Sequence, residues 1–308
     1  MQGSSECKDQ PPPNLDATLS LNTLNILNFL NYLNTLYNIP MTLKTQDNQT
    51  IYYETHKGSA NKPTLFFLHG MGGDLDAWQF VIKPLQEASY STIAMDLRGH
   101  GYSSHPRTPE SYNTAHLVQD IEDILKAEKQ RQIILIGHCY GANIALLFTL
   151  KNPKMVKKLI IIGASYCPPP YLKHAILRKG AALTTNLATL LSLPPRKPWH
   201  SPYPAGKHHE DYEWYGLART IWHNSLRSYA QTSKQIENFN ILDQLPKIKT
   251  PTLIIAGEKD SIYPLPLSEK LHEQIPNSKL EVIKNANHVM PMNNPQEVTQ
   301  LILNFVRS

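Results

Sequence analysis

The chain has 308 residues, 41% hydrophobic and 18% charged, with a net charge of +5 from 30 basic and 25 acidic residues. That apolar share supports a sizeable core and excludes a wholly disordered chain. No run of 18 apolar residues occurs, which argues against a helical membrane span.

Three cysteines, Cys7, Cys139 and Cys167, form neither an even disulfide framework nor a zinc spacing. A reducing compartment, the cytoplasm, is expected. The N-terminus has one early lysine, Lys8, and no short apolar core, so no secretory signal is expected.

Residues 1–13 read as a polar tail ending in Pro11-Pro12-Pro13. Leucine then recurs at 21, 24, 27, 30, 33 and 36, with asparagine at 22, 25, 28, 31 and 34. A period of 3 drifts about 60° per triplet on a helix, so the leucines wind round it and mark no single face. Residues 1–40 are therefore set apart as an extension. Peripheral membrane contact through residues 14–40 is one reading, but the segment lacks the basic face that would support it.

From residue 41 the pattern predicts a hairpin, Met41–Thr45 and Thr50–Glu54, around Asp47-Asn48. Short apolar runs follow at Thr64–Leu68, Ser91–Met95, Gln132–Ile136, Lys158–Ile162, Thr252–Ala256 and Leu280–Ile283. Such runs suit strands buried on both faces of a parallel sheet. Between them, 113–128, 141–151, 265–275 and 295–307 have helical character. This alternation predicts an α/β class: a mostly parallel sheet with helices on both faces.

The stretch 164–247 breaks the alternation. It carries ten Lys/Arg against five Asp/Glu, a proline-rich centre from Pro194 to Pro204, and the aromatic residues Trp199, Tyr203, Tyr212, Trp214, Tyr215 and Trp222. Insertions of this length between strands are usually functional. It reads as a helical cap over a site, flanked by core segments 41–163 and 248–308. Its basic excess reads first as solvated surface, and more sharply as attraction to an acidic substrate or an anionic membrane.

The central signal is Gly137-His138-Cys139-Tyr140-Gly141, directly after one apolar run and before a helical stretch. It matches the nucleophile elbow G-x-S-x-G with cysteine in place of serine. The turn is tight, so residues two before and two after the nucleophile must be small. The helix that follows points its N-terminus at the reacting centre, favouring a thiolate and then an oxyanion. By itself, Cys139 reads first as a small buried hydrophobe.

Four further features strengthen the functional reading. His69-Gly70-Met71-Gly72-Gly73 offers a glycine-rich loop whose N–H groups can face a substrate oxygen. Asp96-Leu97-Arg98-Gly99-His100-Gly101-Tyr102-Ser103 follows the next strand, Gly257-Glu258-Lys259-Asp260 closes a later one, and Asn285-Ala286-Asn287-His288 follows the last.

Together these motifs resemble the α/β-hydrolase superfamily over about residues 41–308, and 164–247 lies where that superfamily carries its cap. The H-G-M-G-G and D-L-R-G-H-G-Y-S motifs look like the capped esterase branch. The cysteine is similar to that of the dienelactone hydrolases and the polyhydroxyalkanoate synthases. The resemblance implies a triad: Cys139 as nucleophile, His288 as general base and acid, and Asp260 as its orienting carboxylate. Glu258 is the second candidate for the acid, and Asp96 is not at the elbow.

The resemblance also implies an oxyanion hole from the backbone N–H groups of Met71 and Tyr140. His69, Gly70, Gly72, Gly137 and Gly141 would support it. His69, His100 and His138 read as loop-holding hydrogen-bonders. No metal and no cofactor is expected.

A paired thiol can titrate at about 3.5–7.5, which would make a thiolate and a histidine cation the resting state. The expected function is hydrolysis of carboxylic esters or thioesters through an acyl-cysteine. Acyl transfer by the same triad, or a non-catalytic small-molecule-binding member of the fold, are the alternatives. The expected partner is a small acyl substrate. No nucleic-acid motif accompanies the modest positive charge.

Overall fold

A computed structural model of the protein describes residues 38–170, 200, 203, 209–211 and 224–308. The leucine–asparagine repeat and the greater part of the expected cap lie outside the described residues.

Eight strands form one sheet: β1 (Ile39–Lys44), β2 (Thr50–His56), β3 (Thr64–Leu68), β4 (Thr92–Met95), β5 (Ile133–His138), β6 (Val156–Ile162), β7 (Thr252–Gly257) and β8 (Ser278–Ile283). Their spatial order is β1-β2-β4-β3-β5-β6-β7-β8. β1 and β2 pair antiparallel, with Met41 opposite Tyr53, and β2 pairs antiparallel with β4. Every other pairing is parallel.

The interior strands β3, β4 and β7 are buried along their whole length, whereas edge strand β1 is largely exposed. This is why they read as continuous apolar runs: both faces of a strand in the middle of the sheet need apolar side chains.

Alternate residues go to opposite faces. Phe66, Leu68, Ile133, Leu135, Leu159 and Ile161 pack on one side. That side is covered by α2 (Thr114–Ala127), α3 (Tyr140–Lys151) and α5 (Leu265–Gln274). Leu65, Phe67, Ile134, Ile136, Ile160 and Ile162 pack on the other side, beneath α1 (Gln79–Glu87) and α7 (Pro295–Arg307). Each fully buried Leu or Ile contributes about 1.5–3 kcal/mol relative to exposure. α4 (Leu226–Glu237), from the 164–247 insertion, and the short α6 (Met290–Asn293) complete the labelled helices.

The order of strands places the site. The chain runs from β3 outward to β4, then returns past β3 to β5. The direction of winding therefore reverses beside β3, and open α/β sheets place ligands outside the strand C-termini at such a reversal. The loops after β3 and β5 carry the glycine-rich segment and Cys139. Among the described residues no helix is long and apolar enough to cross a membrane.

Candidate active site

Cys139 caps α3 with φ 53° and ψ −118°. This backbone conformation costs a non-glycine residue about 1–3 kcal/mol. Three hydrogen bonds hold it there. Cys139 N donates to Ile162 O at the end of β6 (3.0 Å), while Ala142 N and Asn143 N donate to Cys139 O (3.0 and 3.3 Å). The flanking glycines are sterically required. A Cβ on Gly137 would lie 2.5 Å from Gly141 O, and one on Gly141 would lie 2.3 Å from Leu68 O. A Cβ on Gly70 would come within 3.1 Å of Cys139 Cβ, so the loop after β3 passes directly over Cys139. The thiol is free and partly exposed.

His288, in the loop after β8, is buried. Its Nδ1 lies 2.8 Å from Asp260 Oδ2. Asp260, in the loop after β7, is fixed in turn: its Oδ1 accepts from Ile262 N (2.9 Å) and Tyr263 N (2.8 Å). His288 O accepts from His138 Nε2 at 2.9 Å. The histidine is thus held at its ring and its carbonyl. His288 Nε2 remains, buried and without a hydrogen bond of normal geometry among the described residues.

Burial alone would lower the His288 pKa, but the charge on Cys139 and the hydrogen bond to Asp260 outweigh it and raise it well above the ordinary histidine value.

The three other histidines hold loops. His69 is buried, with Nδ1 donating to Gly70 O (2.7 Å) and Nε2 accepting from Leu97 N (3.0 Å). His100 donates from Nδ1 to Arg98 O (3.0 Å) and accepts at Nε2 from Gly72 N (3.1 Å). Burial keeps all three neutral, pushing His69 well down, His100 to about 4 and His138 to about 3. The loops after β3 and β4 are therefore bound to each other by uncharged rings. Gly72, at φ 79°, lies between them. Among the described residues, neither Met71 N nor Tyr140 N donates a backbone hydrogen bond.

Glu258 accepts from Asn285 N (2.8 Å) and does not touch His288. Asp96 accepts from Leu75 N (2.9 Å) and Tyr102 N (2.8 Å), and pairs with His200 Nε2 (2.8 Å). His200, from the insertion, also lies 3.2 Å from Asp76. Burial opposes its charge, but these two carboxylates push its pKa up to about 11. Among the described residues no group of three or more His, Cys, Asp or Glu could hold a metal ion.

Two features escaped the sequence reading. Gly163, after β6, has φ +52°, and a Cβ there would lie 3.1 Å from both Cε1 and Nδ1 of His288. The second, Asp211 in the insertion, accepts from His288 N at 2.7 Å. Neither belongs to a recurring motif.

The family model described as alpha/beta hydrolase fold matches residues 63–295. The chain belongs to the α/β-hydrolase family. It is similar to epoxide hydrolase 4 of Mus musculus, 27% identical over 285 residues that cover 86% of this chain and 79% of that one. It is also similar to the uncharacterized hydrolase YugF of Bacillus subtilis, 26% identical over 286 residues covering 87% and 98%. Among solved structures, the esterase EaEST from Exiguobacterium antarcticum superposes with a TM-score of 0.68 at 23% identity, covering 88% of this chain and all of that one. At that identity the likeness speaks for the fold.

Proposed function

We propose that this α/β hydrolase cleaves carboxylic esters or thioesters through a Cys139–His288–Asp260 triad and an acyl-cysteine intermediate. The observation that carries the reading is His288: its Nδ1 lies 2.8 Å from Asp260 Oδ2, and its Nε2 is buried without a hydrogen bond of normal geometry among the described residues. It lies within the field of a cysteine held in a strained turn.

In the first half-reaction the Cys139 thiol gives its proton to His288 and its sulfur attacks the carbonyl carbon. The carbonyl π electrons move to oxygen, and the N–H groups of Met71 and Tyr140 receive the oxyanion. Collapse expels the alcohol or thiol, which takes a proton from His288. In the second, His288 removes a proton from water, the hydroxide attacks the thioester, and Cys139 leaves as the carboxylic acid forms.

The sulfur itself favours an acyl substrate. Relatives carry names for both epoxide and ester hydrolysis. Sulfur attack on an epoxide gives a thioether, a bond that water does not cleave, so turnover would stop after one event. Attack on an ester gives a thioester, which water does cleave. The 164–247 insertion serves as a cap in this reading. His200 and Tyr203, both within it, contact the core: Tyr203 O accepts from Gln79 Nε2 at 3.1 Å.

Hydrolysis of p-nitrophenyl butyrate and S-ethyl thiobutyrate by the wild type, Cys139→Ala and His288→Ala tests the proposal. Loss of at least about 10³-fold in kcat in each variant is expected, as for other members of such a unit. Retention of wild-type turnover by Cys139→Ala would overturn it. Product analysis with added alcohol, amine or thiol separates hydrolysis from acyl transfer to those acceptors.

A further inference from the structure

One carboxylate outside the triad touches both loops that carry it. Asp211 lies in the insertion between β6 and β7. Its Oδ1 accepts from His288 N at 2.7 Å. Its Oδ2 accepts from Ser261 N at 2.9 Å and from Ser261 Oγ at 2.7 Å. Ser261 directly follows Asp260. A single side chain thus joins the backbone of the histidine to the backbone of the residue beside its acid. The neighbouring chain is docked at the same place. His209 O accepts from Asn287 Nδ2 (2.7 Å) and Asn293 Nδ2 (2.8 Å), and His209 N donates to Asn293 Oδ1 (2.9 Å).

We propose that Asp211 is a positioning residue for the His288–Asp260 pair, with its carboxylate tying the two catalytic loops to each other from the insertion. The proposal rests on the triad reading above.

Three groups fix His288. Asp260 orients the ring, and His138 holds the carbonyl. Asp211 takes the backbone N–H. Without Asp211 the residue keeps its ring bond, but the distance between the β7 and β8 loops loses a tie that joins both sides at once. Bonds from N–H groups to a carboxylate are shorter and stronger than neutral ones. A displacement of about 1 Å in a catalytic group can cost about 10²-fold in rate. The geometry therefore makes the insertion more than a cover: part of it assembles the base.

Three measurements test this on the full chain: kcat and KM for p-nitrophenyl butyrate, the rate of Cys139 alkylation by iodoacetamide at pH 6.5 and at pH 8.5, and the thermal midpoint. The variants are Asp211→Ala, Asp211→Asn and Ser261→Ala.

Asp211→Ala is expected to lower kcat by about 10- to 100-fold with KM within about twofold. Its alkylation should slow more at pH 6.5 than at pH 8.5, because the charge of a mispositioned histidine no longer supports the thiolate. Asp211→Asn keeps one acceptor oxygen and should recover part of kcat. Ser261→Ala, which removes one of three donors, should lose least.

Asp211→Ala with wild-type kcat would overturn the proposal. So would a loss confined to KM, which marks substrate contact. If Asp211→Ala unfolds at the assay temperature, Asp211→Asn decides alone: wild-type kcat and alkylation in that folded variant would also overturn it. A wild type that neither hydrolyses ester nor shows His288-dependent alkylation overturns the triad reading, and this proposal with it.

Discussion

At Gly163 the chain leaves β6 with φ +52°, where side chains are rarely tolerated, and a Cβ would sit 3.1 Å from the His288 ring. Gly163→Ala must therefore strain the backbone, shift the ring, or both. The variant is expected to fold with a lowered thermal midpoint and to lose about 3- to 10-fold in kcat for an ester, by the sensitivity of catalysis to sub-ångström placement. Steady-state kinetics beside a melting curve checks this. A melting change alone would show that His288 does not feel the added methyl.

The Asp260–His288 contact could be anticipated at this scale because each residue follows a strand within a short motif. Gly163 and Asp211 were not legible, since each meets its partner across 77 to 125 positions of chain. Only the fold brings Gly163 to the His288 ring, or Asp211 to His288 N.

At the scale of elements, Arg98 fastens the opening hairpin to the site. It follows β4 and is fully buried. Its guanidinium bonds Asp120 on α2 through Nε (2.6 Å) and Nη2 (2.7 Å). It bonds Asp47 in the β1–β2 turn through Nη1 and Nη2. The bond from Arg98 holds the Asp47 carboxyl well below its usual range, against a smaller opposing effect of burial. A carboxyl depressed in the fold stabilises it fully above the unfolded value, about 3.9. That stability is lost as the pH falls below this value. Asp47→Asn should therefore cost about 1.5–3 kcal/mol at pH 7, the range for a hydrogen bond to a charged group. The gap to wild type in urea denaturation should narrow below pH 4. A gap independent of pH would mean that the charge of Asp47 is immaterial.

The interior strands β3, β4 and β7 were readable within one residue because strands buried on both faces are apolar throughout. The α1 helix is absent from the helical stretches read in the sequence, and Pro84 lies inside it. Proline removes one donor from a helix, yet Val81, Ile82 and Leu85 are buried against the sheet and keep the helix in place.

At the scale of the molecule, a parallel sheet reverses its winding beside β3 and gathers Cys139, His288 and Asp260 from the ends of three different strands. The class of sheet was legible from alternating apolar runs. The strand order was not, because no local pattern states which strand lies beside which.

The central claim is that this arrangement makes Cys139 a nucleophile supported by His288. The most direct test is the rate at which iodoacetamide alkylates Cys139 below pH 7, located by mass spectrometry, in the wild type and in His288→Ala. The account predicts fast labelling of Cys139 in the wild type, well ahead of Cys7, and at least about tenfold slower labelling in His288→Ala. Labelling of Cys139 no faster than Cys7, and indifferent to His288, would contradict it.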